Sequence, residues 1–339
     1  MNGQLFHVPP LSSCGIILSR QCTNECRHCL FASSPEWKDW IPVEALRLLL
    51  QEIKKNDRYL TCIHFSGGEP FIRPELLLAG IRFAGELGLP VDYAETNAFW
   101  CFDEKRTRQM MMRLRENGLP GLTIDVSPFH IEFIPMNRIQ SALKVGSEVF
   151  GPDRVQVSSR YFYGEFLDLE PDQTLPFEDY LVAVGEEKAS LMIASELGLV
   201  AGGRAAERLH YLYVHREPEA YFGETCSAEL SNPHHVHVDC YGNYMPGFCA
   251  GITLGSAFRL TELYQRRTLD PHPVLSLLAQ GGVEFLYRQA VSKWGYRARP
   301  DGYIAKCHLC LDIRRHLVRQ GCQLPELAPL EFYSKLDET

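Results

Sequence analysis

Residues 14–29 read CGIILSRQCTNECRHC, an apolar run that gives way within a few positions to three closely spaced cysteines. The run 14–20 has the length and β-branched content of a buried strand. The CxxxCxxC that follows places Cys22, Cys26 and Cys29 in the loop directly after it. Three thiolates in one short loop can close on a single metal centre, whereas a tetrahedral zinc site or an iron–sulfur cubane takes four ligands. Either a fourth ligand comes from elsewhere, as in a zinc knuckle, or one metal position stays open.

Working outward, β-branched or apolar runs at 59–66, 91–97, 121–127, 154–161 and 198–204 predict further strands. Between them, 42–55, 74–88, 103–118 and 176–197 carry apolar residues at helical spacing, with Pro74 opening one segment and Gly88 closing it. Strand–helix alternation of this kind predicts an α/β fold in which a parallel sheet forms a partial or complete barrel, with its chemistry at the C-terminal ends of the strands. Beyond about residue 215 the pattern changes. The stretch 234–249 reads as a hairpin turning at Gly242–Asn243, a helical stretch near 273–295 is interrupted at Gly281–Gly282, and CHLC follows at 307–310. The chain therefore divides, in this reading, into a barrel domain over 1–214 and a smaller α+β domain over 215–339.

Composition excludes several classes. With 45% hydrophobic and 22% charged residues among 339, the chain is ordinary for a soluble protein, and it has no apolar run of the roughly 20 residues that span a bilayer. The net charge of −8 opposes a nucleic-acid surface, which needs clustered Lys and Arg. The first residues lack a basic segment followed by an apolar core, so a cytoplasmic location is expected. In that compartment the twelve cysteines point to metal or redox chemistry rather than disulfides.

The second decisive motif is HFSGGEP at 64–70, at the end of the second expected strand. Its glycines allow close backbone approach to a ligand, and a carboxylate can face a cationic amino group. In register with the cysteine loop, this Gly-Gly-Glu-Pro resembles the signature of the radical S-adenosylmethionine (SAM) superfamily. The resemblance covers roughly 13–205 and implies a partial (β/α)6-type radical SAM barrel. It further implies a [4Fe–4S] cluster held by Cys22, Cys26 and Cys29 with one iron open to SAM, and Gly67, Gly68 and Glu69 at the amino group of its methionine moiety. By the same likeness His28 lies beside the adenine, Thr96 and Asn97 near the cofactor, Ser127 and Ser158 at the ribose, and Arg160 at the carboxylate. The implied activity is reductive cleavage of SAM to a 5′-deoxyadenosyl radical that takes a hydrogen atom from a substrate, fed by an external electron donor such as flavodoxin or ferredoxin.

The C-terminal cysteines extend this resemblance to the auxiliary-cluster domain known as SPASM or Twitch, over 220–322. CHLC offers Cys307 and Cys310, and Cys226 and Cys249 flank the hairpin. The fit is partial, because Gly242 and Cys249 have six residues between them where the usual pattern has a glycine followed four residues on by a cysteine. Six cysteines here suffice for one auxiliary [4Fe–4S] cluster, with Cys226, Cys249, Cys307 and Cys310 expected as its ligands and Cys240 and Cys322 as substitutes. Zinc at the same residues is the alternative. Such extensions are commonest among peptide maturases, which makes oxidative or cross-linking modification of a peptide the leading expectation. Only 21 residues precede Cys22, too few for a leader-binding winged helix, so either a separate peptide-recognition protein fills the gap or the substrate is a small alcohol, amine or sugar derivative. The alternatives are a dehydrogenase or epimerase acting on a small molecule and, in another class, a non-catalytic electron-transfer or SAM-binding protein. Asp125 and His130 can bind substrate or move a proton, and Cys62 or Cys101 can donate a hydrogen atom. The histidines of HHVH (234–237) read as solvated or packed, because alternate residues of a strand face opposite sides.

Overall fold

β1 (Ser13–Ile17) is buried along nearly its whole length, as a strand covered on both faces should be. In the computed structural model, which describes residues 6–170, 172–198, 200–232 and 234–336, β1 lies inside a seven-stranded sheet. The other strands are β2 (Cys62–Ser66), β3 (Val91–Thr96), β4 (Leu122–Ile124), β5 (Val155–Val157), β6 (Val236–Val238) and β7 (Tyr244–Pro246). Their order is β5-β4-β3-β2-β1-β6-β7, and every pairing is parallel except β6 with β7. The sheet is open, so the fold is an α/β partial barrel.

The helices between the strands are α1 (Val43–Lys55), α2 (Pro74–Glu86), α3 (Glu104–Glu116), α4 (Pro128–Ile131), α5 (Met136–Phe150), α6 (Arg160–Glu165), α7 (Phe177–Val184) and α8 (Glu186–Leu197). α1 buries Leu46, Leu49, Leu50 and Ile53, one stripe at helical spacing, and packs against α2. α3 starts where the Asp103 carboxylate accepts the Arg106 amide, a standard N-cap.

Two expectations are corrected. The segment 176–197 forms two helices, because Gly185 at φ +88 breaks it. No strand forms over 198–204 among the described residues, which run as turns; Leu199 lies outside them. The sixth parallel strand is instead β6, from the hairpin, which pairs with β1. The hairpin turns over Asp239–Gly242, with Gly242 at φ +80 and its amide bonded to the Asp239 carbonyl at 2.8 Å.

The part of the chain after 215 is thus joined to the sheet. Arg20 and Asp239 form a fully buried ion pair at 3.2 Å, and Arg20 also donates to the Phe31 carbonyl at 3.0 Å. The expected interruption at Gly281–Gly282 kinks helix Pro273–Trp294. A Cβ on Gly282 would lie 2.0 Å from the Glu224 carbonyl oxygen, so the glycine admits the backbone that leads into Cys226. Among the described residues no helix is long and apolar enough to cross a membrane.

Candidate active site

The ends of β1 to β4 converge on a cavity of about 260 Å³ lined by all three cysteines of the loop. Two glycines make this convergence sterically feasible. The chain beyond β1 runs against the chain beyond β2, with the Gly68 amide donating to the Ser19 carbonyl and the Glu69 amide to the Gln21 carbonyl, each at 2.8 Å. A Cβ on Gly68 would sit 1.9 Å from the Gln21 oxygen, and one on Gly67, at φ +140, 2.4 Å from the Ser19 oxygen. The glycines therefore dock the cysteine loop on the strand end as well as bordering the cavity.

Arg204, which is buried, closes the loop from the other side. Its guanidinium donates to the carbonyls of Cys26 and Ser33 at 2.8 Å, and its amide donates to the Cys29 carbonyl at 3.0 Å. N–H groups also reach the sulfurs: the Asn24 amide to Cys22 Sγ at 3.4 Å, the Ser33 amide to Cys29 Sγ at 3.3 Å, and Asn97 Nδ2 to Cys22 Sγ at 3.7 Å. Such bonds favour thiolate ligands and tune a cluster's potential. Burial raises the Cys26 thiol pKa, and the proximity of Cys22 and Cys29 raises it further. Burial and the Glu69 carboxylate do the same to Cys22. A cation held between the sulfurs removes their mutual repulsion, so the donor set fits a metal centre.

The polar lining fits a cationic ligand. Glu95 and Asp125 both border the cavity, and burial pushes both carboxyls upward, Asp125 also feeling Glu95 and Glu69. His130 Nε2 lies 3.9 Å from Asp125, and His130 Nδ1 meets Ser127 Oγ at 2.8 Å. His28 stacks on Phe129 at 4.7 Å, and burial lowers its pKa to about 4, leaving a neutral ring. Ser33 Oγ and His28 Nδ1 are buried, border the cavity and have no protein partner. Polar atoms of that kind call for a ligand.

Of the residues singled out in the sequence, Cys22, Cys26, Cys29, His28, Gly67, Gly68, Asn97, Asp125 and His130 border this cavity. Others are engaged elsewhere. The Glu69 carboxylate accepts the amides of Phe71 at 3.1 Å and Asn97 at 2.8 Å and the Thr96 hydroxyl at 3.0 Å, so Glu69 and Thr96 tie β2 to β3 rather than face the cavity. Ser127 caps α4, Ser158 accepts the Val126 amide at 3.0 Å, and Arg160 is exposed. Cys62 starts β2, whose other end, Ser66, borders the cavity, and it meets Ser13 Oγ at 3.4 Å. Cys101 is a core thiol, its pKa pushed up by burial.

Sequence reasoning missed Glu95, Ser33 and Phe248, all on the cavity wall. Strand alternation could have found Glu95, which lies two residues before Asn97 and so on the same side of the chain, while Thr96 takes the other.

The four C-terminal cysteines singled out also come together. Cys226, Cys249, Cys307 and Cys310 line one small cavity with Lys306 and Arg314. Cys307 and Cys310 stand one helical turn apart at the start of helix Lys306–Arg319. Burial and, less strongly, the neighbouring thiols raise Cys226 to about 12 and Cys307 to about 11. Cys240 and Cys322 are absent from this lining. Phe248 borders both cavities.

Residues 16–140 match the family model of the Radical SAM superfamily. No curated protein matches the sequence. Among solved structures, BtrN in complex with AdoMet and 2-DOIA is similar, with 13% identity, a TM-score of 0.45, and coverage of 81% of this chain and 89% of that one. Native anSMEcpe with bound AdoMet and Cp18Cys peptide aligns at 12% identity and a TM-score of 0.44, covering 92% and 98%. SuiB of Streptococcus suis bound to S-adenosylmethionine aligns at 15% identity and a TM-score of 0.37, covering 94% and 74%.

Proposed function

We propose that this protein is a radical SAM enzyme that oxidatively modifies a peptide, using an auxiliary iron–sulfur cluster as electron acceptor. The observation that carries the reading is the convergence of two cysteine sets, three thiols on one cavity and four on the next, with Phe248 common to both walls. Cys22, Cys26 and Cys29 would hold the SAM-binding cluster, and Cys226, Cys249, Cys307 and Cys310 the auxiliary one. Bound in the first cavity, cluster and SAM would supply reductive C–S cleavage and hydrogen-atom abstraction.

The chain's own residues bind, orient and shield. Glu95 and Asp125 offer negative charge to the cationic cofactor, Gly67 and Gly68 border it without side chains, and the neutral His28 ring presents a flat face. His130, held at Nδ1 by Ser127 and with Nε2 3.9 Å from Asp125, can exchange a proton with a substrate group reached through the cavity. Peptide as substrate rests on the likeness of the four-cysteine extension to those of peptide maturases.

The test is anaerobic. The reconstituted chain, given SAM, a strong reductant and a peptide library, should release 5′-deoxyadenosine in proportion to a peptide product two mass units lighter, and Cys29→Ala should abolish both. Cleavage that ignores peptides but responds to a small alcohol or amine would overturn the substrate class. Absence of iron loading at Cys22, Cys26 and Cys29 would overturn the enzyme reading itself.

A further inference from the structure

Outside both cysteine sites, three histidines meet on one face of the sheet. Gly15 of β1 is the in-register partner of His64 on β2 and also of His237 on β6. Strands two apart lie about 9.6 Å from each other, too far for their side chains to meet over an ordinary residue. Gly15 removes that obstacle: a Cβ there would stand 2.7 Å from His237 Cδ2 and 2.8 Å from His64 Nε2. A strand-interior glycine often marks such a close approach. His235, two residues before His237 and hence on its face, completes the group, and one ring nitrogen of each histidine lies within 4.8 Å of the other two. As the sequence led one to expect, His237 is packed and His234 is exposed, but His235 and His237 stand on one face rather than being split between two.

The ring nitrogens are oriented as ligands are. His237 Nδ1 lies 3.2 Å from the Gly247 carbonyl, which only accepts, so Nδ1 carries the proton and Nε2 the lone pair. His235 Nδ1 meets Ser13 Oγ at 3.0 Å, and the two Nε2 atoms face each other at 3.2 Å. Two nitrogens about 2.0–2.1 Å from a tetrahedral zinc stand roughly 3.3 Å apart. An alternative chain of hydrogen bonds, from Ser13 through His235 and His237 to Gly247, would satisfy those two rings but not the third. His64 Nδ1 is buried without a partner, and His64 Nε2 lies 3.8 Å from Glu95 Oε1. Glu95 thus brings a carboxylate to the edge of the group.

We propose that His64, His235 and His237 bind one zinc-class divalent cation, with water or Glu95 in the fourth position. Three imidazoles select borderline metals over magnesium or calcium. The site lies against the wall of the radical SAM cavity: Glu95 belongs to both, and His237 packs edge-on to Phe31, which lines the cavity, at 5.1 Å.

The test uses the full chain with its iron–sulfur sites loaded first, so that the cysteines are occupied, then exposed to Zn²⁺ and desalted. Elemental analysis should find one zinc per chain, and X-ray absorption at the zinc edge should show nitrogen or oxygen neighbours only. His235→Gln and His237→Gln should each lose that zinc with iron content and circular dichroism unchanged; the half-buried His235 decides if the buried substitution fails to fold. No retained zinc, zinc with sulfur neighbours at about 2.3 Å, or zinc kept by a folded His235→Gln chain would each overturn the site.

Discussion

Glu69 illustrates how a residue singled out for ligand binding can serve the frame of the site. Burial lifts its carboxyl to about 7 even though three backbone and side-chain donors pull the other way. Because the folded value lies above the ordinary 4.5, folding favours the protonated form. Its contribution is full below pH 4.5 and is lost as pH rises through about 7, a change of roughly 3 kcal/mol. Urea midpoints of the metal-free chain should fall between pH 5 and 7 and level off above, and Glu69→Gln should flatten the fall in part, since Glu95 and Asp125 are raised in the same direction. An undiminished slope in that variant would refute the assignment. Gly68→Ala is the companion test. Its Cβ has no room beside the Gln21 carbonyl, so the chain should lose about 2 kcal/mol or more and retain less iron at the cysteine loop. The GGEP motif was legible as a motif, but its steric role was not, because the partner of Gly68 is a carbonyl far away in the chain.

At the scale of elements, the hairpin β6–β7 is the piece that ties the two halves together. β6 pairs with β1, and Asp239 at its end neutralises Arg20 while accepting the amides of Tyr241 at 3.1 Å and Asn243 at 3.0 Å. Asp239→Ala leaves the Arg20 guanidinium buried without its counter-charge, which should cost about 3–5 kcal/mol in chemical denaturation. Arg20 also holds the Phe31 carbonyl just past the cysteine loop, so iron retention should fall with stability. The expected hairpin formed, with its turn over Asp239–Gly242 rather than at Gly242–Asn243, whereas the strand expected over 198–204 did not. Short apolar runs rich in glycine satisfy a strand pattern and a turn equally, and only pairing partners separate them.

Across the whole molecule, two cysteine cavities share the Phe248 side chain as a wall. A chain with Cys22, Cys26 and Cys29 replaced by alanine should keep about half of its iron, and adding Cys310→Ala should remove the remainder; zinc in place of residual iron would defeat the auxiliary-cluster proposal. The sequence by itself determined the strand–helix alternation, the cysteine loop after β1, the glycine pair after β2 and the Cys307–Cys310 pair. These rest on local spacing and residue chemistry, which a linear string records. Only the tertiary structure decided that Glu69 faces β3, that β6 supplies the sixth parallel strand, that Cys226 and Cys249 join Cys307 and Cys310 on one cavity and that three histidines meet over Gly15. Each depends on a register between strands or a contact between distant segments, such as the 219 positions that separate Arg20 from Asp239. Such contacts are set by which faces the folded sheet buries, and no local pattern encodes them.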